Sequence, residues 1–341
     1  MMIEIDGSQG EGGGAVVRVS IALSAVTGKE IRINNIRAKR SNPGLRAQHL
    51  TGIRAVAELC NAEVEGDELH SKEIEFKPSE IQARKINVDV GTAGSITLVL
   101  QALMVPAIFA DDRVKIKITG GTDVKWSPPI DYLRSVTLPL LQRFGYDGKV
   151  EVERRGYYPE GGGKVTAEFG PSEFTGIDLT ERGRILSAEG VSHAHQNLEK
   201  DRVARRQARS ARPLLYNRLS NEGVDSDIVI KQEYCESPSY GSGLVLWVKT
   251  ENSVIGSDSL GEKGRTAERV GQDAAKNLLR ELDSGAPLDR WMGDQIVPYL
   301  ALAGGAVRVS EITEHARTNV MLANKFGFDV RIDRDVMWGR I

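Results

Sequence analysis

Apolar residues recur along this chain with two spacings, one typical of strands and one typical of amphipathic helices. Over the first 76 residues the pattern predicts strands at 2–5, 30–36 and 68–76, and helices at 13–27 and 44–61. The same order returns further along, with predicted elements at 85–90 (strand), 94–109 (helix), 113–119 (strand), 130–144 (helix), 149–154 (strand) and 163–169 (strand). Two consecutive units of one type therefore follow each other.

The region 185–282 has a different texture and is predicted to be a small α+β unit of its own. Its predicted elements are a charged helix at 198–219, strands at 228–234 and 244–250, and a helix at 266–282. After residue 282 the alternation of helices and strands resumes, with a predicted helix at 288–302, a strand at 306–309, a helix at 315–325 and two short closing strands.

The economical interpretation is an α/β (α+β) fold of three repeated units, each a small sheet packed on two helices. A large catalytic domain would comprise 1–184 and 283–341, and a smaller domain, 185–282, would be inserted in the third unit. A short repeated string, Glu11-Gly-Gly-Gly14 and Glu160-Gly-Gly-Gly163, supports the repeat only weakly, because four matches in a glycine-rich chain also arise by chance.

Composition limits the class of protein. The 341 residues carry a net charge of −2, so no global field drives the chain onto nucleic acid, and a polyanion would need a local patch. Two cysteines are too few for a disulfide framework or a zinc cluster, and the longest apolar stretch, 96–110, is interrupted and short for a membrane span. We expect a cytoplasmic protein with no membrane partner.

The first candidate for chemistry is the run Asp6-Gly-Ser-Gln-Gly-Glu-Gly-Gly-Gly14, just before a predicted helix. Such a loop can present several backbone N–H groups to a phosphate, although a flexible turn explains the glycines equally well. Glu11 favours a phosphate-binding loop that also holds a cation, because a carboxylate repels a phosphate unless a cation bridges them.

A second candidate is a basic stretch at 31–57, which has no acidic residue. Its cationic side chains are Arg32, Arg37, Lys39, Arg40, Arg46 and Arg54, with Gln48 and His49 among them. Arginine forks on one loop can converge on a dianionic phosphate, and the alternative is a solvated basic face.

Three further features carry weaker signals. Gln101 lies in an otherwise apolar predicted helix, where a buried amide needs a partner such as a nucleotide. The loop at 120–129 lies at a strand end, where α/β folds bind ligands, or is simply structural. His193 and His195 share one face of a strand without an evident third metal ligand, whereas His315 begins a helix among polar residues and could cap it or act as a nucleophile.

Together these residues resemble one family, RNA 3′-terminal phosphate cyclase. The matching segments are 6–14, 36–40, 43–45, 48–50, 94–95, 97–101, 120–123, 294–295 and His315-x-x-Thr318-Asn319. The resemblance implies ATP-dependent conversion of an RNA 3′-phosphate to a 2′,3′-cyclic phosphate, through a covalent histidinyl-AMP and an adenylated RNA end. It also implies a thioredoxin-like insert, Mg²⁺ or Mn²⁺, and RNA with a 3′-phosphate as partner, and leaves a homodimer open.

Residue roles follow from the same resemblance. It implies His315 as the nucleophile, Glu11 as the metal-linked carboxylate near ATP, and Arg18, Arg37, Arg40 and Gln48 as ligands of the RNA end or the triphosphate. The implied nucleotide pocket comprises Gln101, Pro128, Tyr132, Trp291, Met292, Gly293, Asp294 and Gln295.

The chain departs from the family pattern at Trp291-Met-Gly293, where bacterial relatives usually have tyrosine, leucine and alanine. Trp291 can still stack on a base, but the departure leaves base selectivity open. Two alternatives are a non-catalytic cyclase-like protein of ribosomal RNA processing, which would lack the histidine, and a small-molecule transferase such as an enolpyruvyl transferase, which would need about six such units. The chain has room for three.

Overall fold

One order of strands and helices occurs three times in the computed structural model, which describes residues 2–224 and 228–340. The first unit contains β1 (Ile3–Asp6), α1 (Gly14–Thr27), β2 (Ile31–Asn34), α2 (Ala47–Cys60), β3 (Glu63–Glu65) and β4 (Ile74–Lys77). In β2, Ile31 and Ile33 are buried and alternate with the more exposed Arg32 and Asn34, as a strand with one face on the core requires.

The second unit contains β5 (Lys85–Asp89), α3 (Ile96–Ala107), β6 (Val114–Gly120), α4, β7 (Gly148–Arg154) and β8 (Gly163–Phe169). Here α4 denotes three consecutive helical segments, Ile130–Tyr132, the π-helical Leu133–Thr137 and Leu138–Gln142. The third unit contains β9 (Ile177–Leu179), α7 (Arg290–Ala303), β14 (Gly305–Arg308), α8 (Glu314–Lys325), β15 (Asp329–Asp333) and β16 (Val336–Arg340).

The three sheets share one topology. Their strand orders are β1-β2-β4-β3, β5-β6-β8-β7 and β9-β14-β16-β15. In each, the first two strands are parallel and the remaining neighbours are antiparallel. The predicted α/β fold class is therefore confirmed, and the three sheets share one strand order and one set of strand directions.

The insertion in the third unit separates two strands that pair directly. Ile177 of β9 pairs with Gly305 of β14, and the residues between these strands include a fourth sheet. Its elements are β10 (Ile185–His195), α5 (Val203–Leu219), β11 (Ile228–Cys235), β12 (Ser242–Thr250), β13 (Val254–Leu260) and α6 (Ala267–Asp283). The order β11-β10-β12-β13 joins a βαβ arrangement to an antiparallel pair followed by a helix.

Hydrophobic side chains of the repeated units and of the insert form separate clusters. One cluster combines side chains of all three repeated units, among them Ile5, Leu100 and Leu300. Another lies within the insert and includes Leu215, Leu246 and Leu278. Because the two clusters are separate, we propose that the chain forms a large domain, 1–184 with 283–341, and an inserted domain, 185–282.

Several predicted elements were wrong. The strand predicted at 68–76 begins only at Ile74, as β4, and β3 before it was missed, because a single apolar residue, Val64, marks this short strand. The predicted helix at 198–219 begins at Val203, after a separate short turn of helix. β9, β10 and β13 were missed, and β13 contains glycine, serine and aspartate, whose low strand propensity is overridden by burial in the sheet.

None of the helices in the part of the chain that the structure describes is both long and apolar enough to cross a membrane.

Candidate active site

The glycine-rich run forms the loop between β1 and α1 and lies against the start of α8. The φ angles of Gly10 and Gly12 are +56° and +63°, a region that glycine adopts without strain. A Cβ atom on Gly10 would overlap the Thr318 hydroxyl, and the Glu11 amide donates to that hydroxyl at 3.3 Å. Glycine at position 10 therefore lets the loop approach α8 closely enough to hold Glu11 beside it.

Glu11 contacts two candidate site residues. Its Oε1 forms an ion pair with Arg40, and its Oε2 lies 3.7 Å from His315 Nδ1. Glu11 Oε2 is buried and has no hydrogen-bond partner among the described residues. A Cβ atom on Gly13 would overlap this oxygen, so the glycine leaves room for the carboxylate. A buried oxygen with an unused lone pair is a suitable ligand for a hard cation.

His315 lies in the first turn of α8, two residues after the N-cap Thr313. The Thr313 hydroxyl accepts a hydrogen bond from the Ala316 amide at 3.0 Å and donates one to Asp294. The imidazole of His315 is 43% exposed, and its pKa is lowered by burial and by the charges of Arg18 and Arg40. The ring is therefore neutral at pH 7 and has a free lone pair for nucleophilic attack.

A second histidine, His49, lies against the glycine-rich loop, among the arginines of the basic stretch. Its Nδ1 accepts from the Arg46 amide at 3.0 Å, and a Cβ atom on Gly14 would overlap its Nε2. Burial lowers the pKa of His49 to about 3, assisted by the charges of Arg37, Arg18 and Arg46. His49 was not predicted as a site residue, although it follows Gln48 in the basic stretch.

The arginines predicted to bind phosphate are held in different ways. Arg37 has a φ angle of +53° and donates through Nη1 to the carbonyls of Asn42 (2.6 Å) and Gly44 (2.9 Å). Burial lowers its pKa, as does the charge of Arg46. Arg18 lies on α1, and burial lowers its pKa to about 10 while Asp294 opposes this shift. The structure thus gathers positive charge around His315 and His49.

Gln48 is fixed on the opposite edge of this cluster. Its Oε1 accepts from the Ser95 amide at 3.0 Å, and a Cβ atom on Gly94 would lie 3.0 Å from the Gln48 Cβ. Ser95 in turn caps α3 by accepting a hydrogen bond from the Leu98 amide. The loop before α3 therefore positions Gln48.

A small cavity of about 40 Å³ lies between the helices of the three units. Its lining residues are Arg18, Val19, Ala22, Gln101, Met104, Val105, Thr137, Gln295, Pro298, Tyr299 and Asn319.

Two glutamines predicted for the nucleotide pocket meet in this cavity. Gln101 Nε2 donates to Gln295 Oε1 at 2.9 Å, and the Thr137 hydroxyl donates to the same oxygen at 3.1 Å. Asn319 Nδ2 donates to the Asp294 carbonyl at 2.8 Å, whereas Asn319 Oδ1 is buried without a partner in the described chain. The cavity therefore combines apolar walls with amide groups that can donate and accept hydrogen bonds.

Asp294 links this cavity to the histidine. Burial raises the pKa of Asp294 to about 7, although the hydrogen bond from Thr313 opposes this shift. The carboxyl group therefore changes its protonation near neutral pH, one residue from Gln295 and hydrogen-bonded to the cap of the His315 helix.

Other residues predicted for the nucleotide pocket do not line the cavity. Tyr132 is buried and its hydroxyl donates to Asp289 Oδ1 at 2.6 Å, and Asp289 also caps α7 through the Met292 amide. Met292 is fully buried, and a Cβ atom on Gly293 would overlap Val309. Their assignment as nucleotide contacts stays a prediction.

Pro128 and Trp291 are partly exposed, so both keep a face available to a ligand. The Pro128 carbonyl accepts from the Thr97 hydroxyl at 2.7 Å, and the Arg290 guanidinium lies 5.8 Å from the Trp291 ring centre.

The loop at 120–129 and the His193/His195 pair lie outside the candidate active site. His193 Nε2 lies 3.3 Å from Asp123 Oδ1, and Arg155 lies 3.2 Å from Asp123 and 2.7 Å from Asp131. His193 Nδ1 is 2.8 Å from the Tyr157 hydroxyl. Although Asp123, Asp131 and His193 have ligand atoms close enough to share a metal ion, the Arg155 guanidinium already forms ion pairs with both carboxylates. This buried network connects the second unit to the insert.

Comparison with known proteins gives a consistent result. Residues 9–333 match the family model described as RNA 3′-terminal phosphate cyclase. The chain is 51% identical over 326 residues to a protein of that name from Methanothermobacter thermautotrophicus, covering 95% of this chain and 94% of the relative. It is 50% identical over 326 residues to the Pyrococcus furiosus protein (95% and 93%) and 49% identical over 329 residues to that of Ignicoccus hospitalis (95% and 92%), which carry the same name.

Proposed function

The chain belongs to the RNA 3′-terminal phosphate cyclase family, and on this premise we propose that it uses ATP to convert an RNA 3′-terminal phosphate to a 2′,3′-cyclic phosphate. The single observation that carries the proposal is the position of His315. Its neutral imidazole lies beside Glu11 and Arg40, next to a cavity lined by amide groups. The proposed nucleophile, the charged groups proposed to bind phosphate and the amide-lined cavity therefore lie close together.

In the first step, a nitrogen of His315 attacks the α-phosphorus of ATP. A phosphorus–nitrogen bond forms, the bond to the β-phosphate oxygen breaks, and pyrophosphate leaves. The lowered pKa of His315 keeps the lone pair available for this attack at neutral pH. Arg18 and Arg40, whose charges reach the imidazole, stabilise the negative charge that develops on the phosphate oxygens.

In the second step, an oxygen of the RNA 3′-phosphate attacks the phosphorus of the histidinyl-AMP, which releases His315 and leaves an adenylated RNA end. In the third, the neighbouring ribose 2′-hydroxyl attacks the terminal RNA phosphorus and AMP leaves. The hydroxyl is already tethered beside its target, so proximity favours ring closure. Arg37, Arg40 and Gln48 hold the RNA phosphate in this scheme.

The residues present fit a divalent cation, Mg²⁺ or Mn²⁺, at Glu11. Glu11 Oε2 is buried without a hydrogen-bond partner in the described chain, and so is Gln9 Oε1 two residues earlier. A bound cation would neutralise charge on the triphosphate oxygens and take its remaining ligands from them and from water. The ion pair with Arg40 fixes the Glu11 carboxylate at the position where the cation would bind.

Gln101 and Gln295 form the nucleotide-binding wall in this proposal, with Asp294 and Asn319 between the cavity and His315. Trp291 and Pro128 would contact the base from their exposed faces, while Tyr132, Met292 and Gly293 support the backbone that carries these groups.

Incubation with α-labelled ATP and Mg²⁺ or Mn²⁺ tests the first step. We expect a protein-AMP adduct that is acid-labile and alkali-stable, as a phosphoramidate should be, and its loss in His315→Ala. His195→Ala, which removes a histidine from the insert, serves as the matched control and should label like the wild type. Adduct formation by His315→Ala would refute the assigned nucleophile.

A further inference from the structure

Two exposed tyrosines lie on neighbouring segments where the second repeated unit meets the insert. Tyr158 is 76% exposed and Tyr240 is 62% exposed. The residues beside them are in direct contact, since a Cβ atom on Gly241 would overlap the Tyr157 ring and the Glu160 amide donates to the Ser239 hydroxyl at 3.1 Å. We call Tyr158 and Tyr240 the tyrosine platform.

The platform is built on fixed supports. The Tyr240 ring stacks on His195, with 4.5 Å between ring centres and 25° between planes, and its hydroxyl accepts a hydrogen bond from Asn197 at 2.8 Å. One face of the ring is thus covered, while the residue remains largely exposed. Tyr157, beside Tyr158, is buried and anchored to His193. Ordering the Tyr240 ring therefore costs little when a ligand stacks on it.

Continuous contacts connect the platform to the candidate active site. A Cβ atom on Gly161, three residues from Tyr158, would lie 2.7 Å from the Thr92 carbonyl and 2.8 Å from the Ala93 Cα. The same loop ends at Ser95, whose amide donates to Gln48. A chain whose 3′ end lies at Gln48 can therefore continue over this loop to Tyr158 and Tyr240.

We propose that the tyrosine platform stacks unpaired bases of the RNA that precede the phosphorylated 3′ end. This inference rests on the proposed function, because it takes the 3′ end to lie at Gln48. Exposed aromatic rings in a row are the usual means of binding single-stranded RNA without sequence preference, since every base has a face that can stack. The insert then contributes Tyr240 to substrate binding.

The charge near the platform determines which part of the RNA it contacts. Glu160 is exposed between the second unit and the insert and would repel a phosphate placed on the platform. The bases therefore face the tyrosines and the backbone points away. Binding at the platform should depend weakly on salt, in contrast to binding at the arginines, where counterions are released.

The experiment measures the affinity of the full chain for a fluorescent, single-stranded, 3′-phosphorylated oligoribonucleotide without ATP. Tyr158→Ala and Tyr240→Ala should each raise the dissociation constant by about tenfold, nearly equally at low and high salt. Tyr158→Phe and Tyr240→Phe keep the stacking face and should bind like the wild type. Tyr216→Ala, at a 48% exposed tyrosine of α5, is the matched control and should have no effect.

Further measurements separate this inference from its premise. Self-adenylation and cyclisation of a 3′-phosphorylated dinucleotide should be unchanged in the platform variants, which also shows that they fold. If the double alanine variant binds the oligonucleotide within twofold of the wild-type affinity, the proposal is wrong. The exposed tyrosines would then be assigned to binding of a protein partner. If the wild type binds through the tyrosines yet forms no cyclic phosphate, the proposed function fails while the stacking surface stands.

Discussion

His315 Nδ1 lies 3.7 Å from Glu11 Oε2, although 303 residues separate them in the chain, and Arg40 forms an ion pair with the same carboxylate. This contact joins the first and third repeated units. It brings a neutral nucleophile, a carboxylate suited to a cation and a cationic side chain together at the loop between β1 and α1. The predictions below test what each group contributes.

The rate of self-adenylation should depend on the protonation of His315. Burial and the charges of Arg18 and Arg40 lower the pKa of His315 below its ordinary value of about 6.5, so the neutral, reactive form persists to lower pH. Single-turnover adenylation should rise with pH and be half-maximal below pH 6.5. In Arg40→Ala the midpoint should move to higher pH, since one repelling charge is gone.

A second ionisation could obscure this profile, because the pKa of Asp294 is raised to about 7 by burial. Asp294→Asn removes that titration and keeps an acceptor for Thr313. The acid midpoint should remain in this variant. A midpoint that disappears with Asp294→Asn would assign the pH dependence to Asp294 instead of His315.

Gly10→Ala should reduce self-adenylation by tenfold to 100-fold, on the order of the loss expected from displacing a catalytic group by about 1 Å. The added methyl group overlaps the Thr318 hydroxyl and pushes the loop that carries Glu11 away from α8. Gly28→Ala is a matched control, because Gly28 has a similar φ angle of +66° and open space around it. It should lower the melting temperature but not the adenylation rate. Equal activity losses in both variants would contradict the role of the close contact.

Arg40→Ala should slow cyclisation of a 3′-phosphorylated RNA by a further factor of about 10 to 100 beyond its effect on self-adenylation, the loss typical of a charged hydrogen bond. High salt should reduce the difference, because the partner is a phosphate. Arg54→Ala, which removes an exposed arginine paired with Asp67, is the control. If both steps lose activity equally, Arg40 belongs to the ATP site instead of the RNA end.

Gln101→Ala should raise the Michaelis constant for ATP by about tenfold, because the substitution removes an amide from the cavity and leaves one hydrogen bond of Gln295 unmade. The melting temperature should change little, since Thr137 still donates to Gln295. Gln232→Ala, at an exposed position of the edge strand β11, provides the comparison. An unchanged Michaelis constant would exclude Gln101 from nucleotide binding.

The sequence by itself determined the order of elements and much of the local chemistry. Periodic apolar residues identified each α-helix in the part of the chain that the structure describes and most strands of the first two units, because helix and strand periods are local properties. The glycines at 10–14, the basic stretch around Arg37 and Arg40, and His315 at the start of a helix were also visible, whereas the cap of that helix proved to be Thr313 instead of His315.

Only the tertiary structure decided which of these segments meet. The pairing of Ile177 with Gly305 across the insert, the strand β13 with its serines and glycine, and the place of His49 beside Gly14 depend on non-local burial, which no local period encodes. The same holds for Tyr132, whose hydroxyl binds Asp289 in the interior, and for the approach of Glu11 to His315. Close packing of helices from three units fixes these contacts, because it buries their apolar faces in one core.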